Sequence, residues 1–180
     1  QRRMSFLVAR SILSLMSFDG ARDVNMTTCK RCGMRVGAGH GLHLVGLCAA
    51  CLDTLIQGGG DGLSKFLDSV DHPAALVARD HTVLHSNSSL GKLLEKFDHD
   101  IVGLRIGEAL ECLYAKHERR CGEGEVCLHC GLRRLVELAR ISGEKIAQFP
   151  MTLRHRSGET QSFTFATEKA GEAVLLMIEK

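Results

Sequence analysis

The eight cysteines of this chain fall into two groups of four, Cys29, Cys32, Cys48 and Cys51, then Cys112, Cys121, Cys127 and Cys130, with no thiol left over. Three of the pairs are spaced C-x-x-C, a spacing that metal ions use far more readily than stable structural disulfides do. Two thiolate centres in a reducing compartment follow. The expected location is the cytoplasm.

The first group lies in TCKRCG, residues 28–33, and LCAACL, residues 47–52, with fifteen residues between Cys32 and Cys48. Each turn presents two sulfurs to one ion, Gly33 relieves the backbone, and the intervening loop brings the second pair round to close a tetrahedron. This is the chemistry of structural zinc, a staple for a segment too short to bury its own core. The two knuckles are similar to those of zinc ribbons and treble clefs. His40 and His43 between them are alternate ligands only.

In the second group the spacing is C-x8-C-x5-C-x2-C. Cys112 is expected at the end of one helix, Cys121 in a loop, and Cys127 and Cys130 at the start of the next helix, whose positive end stabilises thiolates. Four thiolates suit Zn²⁺, a [4Fe–4S] cluster or a [2Fe–2S] cluster, and spacing does not separate them. Convergence on one centre predicts sulfurs roughly 4 Å apart for zinc and about 6–7 Å apart across a cubane. A resting disulfide used as a thiol switch is the third option. Gly131, not His, follows Cys130, so the covalent haem motif is absent.

Around these centres stand 180 residues, 44% hydrophobic and 24% charged, enough for one ordinary domain and a small appendage. A net charge of +2, no Trp and 4% aromatics argue against nucleic acid as a partner, by bulk charge or by base stacking. Lys30, Arg31 and Arg35 make too small a basic patch to change that. Residues 1–25 read as a disordered leader: Phe6 to Phe18 is apolar but interrupted by Arg10, and shorter than the ~18–20 residues needed to cross a bilayer. No membrane association is expected. Residues 26–57 form the zinc-knuckle unit, the glycine-rich residues 58–62 a flexible linker, and residues 63–180 the main domain.

Within that domain Leu63, Phe66, Leu67 and Val70 mark a short amphipathic helix that ends before Pro73. Residues 74–79 and 82–86 read as a hairpin, and Asn87 to Phe97 as a helix with Asn87-Ser88 as its cap. Helices follow over Glu108 to Ala115 and around Leu132, Leu135, Val136 and Ala139. Alternation at Phe149, Met151 and Leu153, a turn at Ser157-Gly158, Phe163 with Phe165, and the run Ala173 to Ile178 give three terminal strands. The fold class is α+β, a five-stranded antiparallel sheet with helices on one side. Leu76, Val83, Phe163, Phe165, Leu175 and Met177 are the expected core.

This order resembles a PAS domain, through Ala75-Leu76-Val77, Val83 to Asn87, Ile101-Val102-Gly103, Ile106-Gly107-Glu108 and the terminal strands. The inserted cysteines, with Gly107, Ala115, Gly131 and Arg133-Arg134, resemble a cysteine-containing subset of PAS domains in bacterial sensor kinases and regulators. The resemblance implies that Cys112, Cys121, Cys127 and Cys130 sit beside the pocket where such domains hold a cofactor. The implied function is a bacterial signalling module for redox or gas sensing, with an iron–sulfur cluster or zinc at that centre. No nucleophile–base set, phosphate loop or H-E-x-x-H helix is readable, and Glu108/Glu111 and Glu123/Glu125 read as surface charge, so an enzyme is not expected. Output then passes to a protein partner such as a kinase or regulator, by docking or homodimerisation. The rival class is a structural adaptor in which both quartets hold zinc and nothing is sensed.

Overall fold

The structure, a computed structural model, describes residues 28–36, 42, 44–57, 60–115 and 120–180. The expected leader 1–25, His40, His43, Gly58 and Gly59 lie outside the described residues. Five strands, β1 (Ala74–Val77), β2 (Val83–Ser86), β3 (Ile146–Arg154), β4 (Thr160–Ala170) and β5 (Ala173–Glu179), form one antiparallel sheet in the order β2-β1-β5-β4-β3. The central strand β5 pairs Val174 with Val77 on one side and Ile178 with Phe165 on the other. The chain leaves β2 at one edge and enters β3 at the other, so the segment between must cross a face of the sheet. That segment is the helical layer: α3 (Ser88–Leu94), α4 (Asp98–Ile101), α5 (Ile106–Ala109), a 3-10 helix (Glu125–His129) and α6 (Gly131–Ser142).

Alternation along the strands separates two cores. Ala75, Val77, Val83, Phe163, Phe165, Val174, Leu176 and Ile178 face the helical layer and meet Leu90, Ile101, Ile106, Leu132, Leu135, Val136 and Ala139. Ala74, Leu76, Ala170, Ala173, Leu175 and Met177 face the other way, beneath Leu42, Val45, Leu47, Leu52, Leu55, Leu63, Leu67 and Val70. Both faces are therefore covered, which is why β5 reads as an unbroken apolar run. All six expected core residues are buried, three on each face.

The stretch expected as a linker is helical from Gly60. Helix α2 (Gly60–Asp68) packs against α1 (Ala49–Gln57), and a Cβ on Gly62 would lie 3.3 Å from Leu55 Cδ2. Glycine here permits a close helix approach, and the knuckle residues share a core with the sheet. A polar strap reinforces the contact: Glu168 of β4, 4% exposed, accepts the Leu44 amide at 2.8 Å. Glu168→Ala leaves that amide without this acceptor and is expected to destabilise the chain by about 1–3 kcal/mol in denaturant unfolding.

Two expected helices are shorter than their apolar spacing suggests. The helix from Asn87 stops at Leu94, because Glu95 turns left-handed (φ 54°) and the chain folds back across Gly91, where a Cβ would meet the Lys96 carbonyl oxygen at 2.8 Å. Phe97 is consequently 73% exposed and does not complete the stripe. The helix expected over Glu108 to Ala115 ends at Ala109. Glu111 takes φ 52°, and the backbone of 111–113 pairs instead with the end of the sheet: Leu113 N–H donates to Arg154 O, Arg156 N–H to Glu111 O, and Cys112 bridges His155.

Candidate metal centres

In the first quartet, the ligand atoms of Cys29, Cys32, Cys48 and Cys51 all lie within 4.8 Å of one another. Cys32 and Cys48 sulfurs are 3.7 Å apart. A tetrahedron with metal–sulfur bonds near 2.3 Å has edges of about 3.8 Å, so the set suits one zinc ion. Local structure builds it. Gly33, at φ +72°, closes the first turn with its N–H on Cys29 O, and Lys30 N–H donates to Gly46 O, tying the first turn to the loop before Cys48. Cys48 stands just before α1 and Cys51 in its first turn, so the helix N-terminus faces the thiolates.

The thiols of this quartet are electrically interdependent. Burial pushes the Cys29 thiol up, but backbone N–H groups of Cys48, Cys32 and Arg31 outweigh it and hold the thiol at about 6. Cys51 is pushed up to about 12, by burial first and then by the three neighbouring sulfurs. A divalent cation bound among the four would hold them all as thiolates.

The second quartet is organised differently. Cys112, Cys121, Cys127 and Cys130 all line one cavity of about 380 Å³, together with His81, Ile106, Tyr114, Leu132, Met151 and Leu153. Its walls thus come from the helical layer and from β3. Among the described residues, only the first quartet draws three or more metal-ligating side chains within 4.8 Å, so the second holds its sulfurs around a wider space. Cys112 comes from the extended bridge to His155 and not from a helix end. Cys127 lies in the 3-10 helix, and Cys130 is the N-cap of α6.

Cys121 is the most elaborately held. Its N–H donates to Glu108 Oε1 at 3.1 Å, and its carbonyl accepts from Arg105 Nη1 at 2.6 Å. Arg133 Nη1 donates to the next carbonyl, that of Gly122, at 3.1 Å. Glu108, which the sequence offers as surface charge, and Arg133 are therefore supports of the loop; the three-residue spacing Arg105/Glu108, which lets Glu108 Oε2 accept the Arg105 N–H, was the available signal. Burial raises the Cys121 thiol to about 11, and Cys127, Cys130 and Cys112 add to the rise while the Gly107 N–H opposes it. Burial also raises Cys112, against N–H groups of Tyr114 and Ala115. Cys121 thus feels Cys127, Cys130 and Cys112, and Cys112 feels Cys130 and Cys127.

No protein-family model matches the chain, and no curated protein matches it. Solved structures similar to it include the photoactive yellow protein domain of the sensor histidine kinase Ppr from Rhodospirillum centenum, at 11% identity over 72% of this chain and 99% of that one, TM-score 0.46. A LOV protein from Rhodobacter sphaeroides is 12% identical over 65% of this chain and 63% of its own, TM-score 0.46. The PAS domain of a LuxR-family transcriptional regulator from Burkholderia thailandensis, in complex with ethanol, is 15% identical over 64% and 93%, TM-score 0.44. Among the described residues no helix is long and apolar enough to cross a membrane. The fold is PAS-like on this chain's own strand order and crossing: a five-stranded antiparallel sheet whose helical layer and third strand enclose four cysteines.

Proposed function

We propose that this chain is a bacterial signal-transduction sensor module in which Cys112, Cys121, Cys127 and Cys130 hold a redox-active iron–sulfur centre, while Cys29, Cys32, Cys48 and Cys51 hold a structural zinc. The observation that carries the reading is the contrast between the quartets: one gathered to the edge length of a zinc tetrahedron, the other spread around a cavity of about 380 Å³. An iron–sulfur group bound there supplies one-electron chemistry and sensitivity to oxygen. The chain's own residues line one cavity with all four cysteines and place apolar side chains such as Ile106, Leu132, Met151 and Leu153 around them. The module is non-catalytic and cytoplasmic. It acts through a protein partner such as a kinase or regulator, or a second copy of itself, and the bridge from Cys112 to His155, next to the end of β3, is the link by which its centre would reach the sheet edge.

Metal and acid-labile sulfide analysis of protein purified without oxygen tests this. Expected are about one zinc together with iron and sulfide, and in Cys127→Ser loss of the iron and sulfide with retention of the zinc. Two zinc ions per chain, unchanged by air, would overturn the sensor reading in favour of the adaptor with two structural sites.

A further inference from the structure

Beside the second quartet lies a residue with no side chain at all. Gly107, the second residue of α5, is buried, and a Cβ built on it would lie 2.4 Å from Cys121 Sγ, 3.3 Å from Cys121 Cβ and 3.8 Å from Cys112 Cβ. At a separation under 3 Å something must shift, and because Glu108 and Arg105 hold the Cys121 backbone on both sides, the sulfur would have to turn away about its own side-chain bond. Gly107 meets both cysteines: the Cys121 sulfur lies against its Cα, and its carbonyl accepts the Cys112 N–H at 2.8 Å. Gly124 is a natural comparison within the same centre. A Cβ there would lie 3.8 Å from Cys127 Sγ, an ordinary contact.

We infer that Gly107 is the positioning residue of the second centre: its missing side chain lets the Cys121 sulfur sit against the α5 backbone, while its carbonyl holds the Cys112 backbone beside it. The inference deepens the proposed function, and its first readout does not depend on iron.

The test compares Gly107→Ala, Gly124→Ala and the parent chain in two forms. With Co²⁺ bound, Gly107→Ala is expected to change the thiolate charge-transfer bands of the second centre and to weaken its affinity about 10–100-fold, the range for outer-shell changes. Gly124→Ala should match the parent. After anaerobic loading with iron and sulfide, Gly107→Ala is expected to retain less iron and to show an altered electron paramagnetic resonance spectrum. Should Gly107→Ala fold poorly, the Cys121→Ala background separates causes, because the sulfur at 2.4 Å is gone: there the added methyl is expected to cost clearly less in melting temperature. Parent-like cobalt spectra and affinity in Gly107→Ala, or an equal melting penalty in both backgrounds, overturn the inference. A parent chain that takes only zinc or cobalt removes the iron–sulfur reading and leaves the positioning role standing on the cobalt result.

Discussion

If the proposed zinc is held by Cys29, Cys32, Cys48 and Cys51, withdrawing it is expected to lower the melting temperature of the whole chain and not merely to release an N-terminal tail. Leu42, Val45, Leu47, Leu52 and Leu55 of the knuckle and α1 share one buried cluster with Leu76, Leu175 and Met177 of the sheet. Burying side chains of this size is worth about 1.5–3 kcal/mol each, so uncovering three on β1 and β5 costs an amount comparable to a domain's entire stability of about 5–15 kcal/mol. Structural zinc contributes about 10–16 kcal/mol of apparent binding energy at neutral pH, and without it the knuckle has little to hold its two turns together. The measurement is amide hydrogen exchange with and without chelator, or in Cys29→Ser. Protection should fall at Ala74–Val77 and Ala173–Glu179 as well as in the knuckle. If exchange rises only before residue 58 while β1 and β5 keep full protection, the two parts are independent and the boundary expected at residues 58–62 stands.

That boundary shows what sequence could and could not reveal about the fold. Five strands and their order were legible, because period-two alternation and turn residues such as Ser157-Gly158 are local signals. The covering of the outer face was not. Glycines at 58–62 carry the same composition whether they serve a loose tether or a close helix contact, and only the packing of Leu55, 3.3 Å from where a Cβ on Gly62 would lie, distinguishes them. Helix lengths failed for a related reason. The apolar stripe through Leu90, Leu93 and Leu94 continues to Phe97 by spacing, yet the return of the chain across Gly91 ends the helix, and no side-chain pattern encodes that return.

The gathering of the first quartet was legible, and the support of the cysteines in the second was not. C-x-x-C spacing implies shared sulfurs, and the first quartet gathers as spacing demands. The sequence places Cys112 at the end of a helix, but the end of β3 offers its segment backbone partners at Arg154 and His155. The supports of Cys121, namely Glu108, Arg105 and the bare backbone of Gly107, come from residues thirteen to sixteen positions away. Such pairings exist only after the chain has folded.

Asn87→Ala is expected to destabilise the chain by about 3–5 kcal/mol, well beyond the ~1 kcal/mol typical of losing a helix cap. The cap is real: Asn87 Oδ1 accepts the Leu90 N–H at 2.9 Å and opens α3. The same oxygen also accepts the Ala74 N–H at 2.9 Å, at the start of β1. From the other side Asn87 Nδ2 donates to carbonyl oxygens of Leu67, Val70 and His72 at 3.1, 3.2 and 2.9 Å, at the end of α2. The residue is fully buried, so alanine would leave several main-chain groups at the junction of α2, β1 and α3 without these partners, each costing about 1–3 kcal/mol if water cannot enter. Asn87→Asp separates the two halves of this role. It keeps the acceptor oxygen for Leu90 and Ala74 but points a carboxylate at three carbonyls, which favours its neutral form and raises its pKa in the folded state above the ordinary ~3.9. Because the folded pKa is the higher one, the penalty is smallest below the unfolded pKa and grows as pH rises through the folded value. Chemical denaturation of the aspartate variant should therefore show stability falling from pH 4 to pH 7 relative to the parent, while the alanine variant shows a constant deficit. A loss near 1 kcal/mol in both variants, independent of pH, would mean that Asn87 acts as a cap alone and that the α2–β1–α3 junction is held by packing.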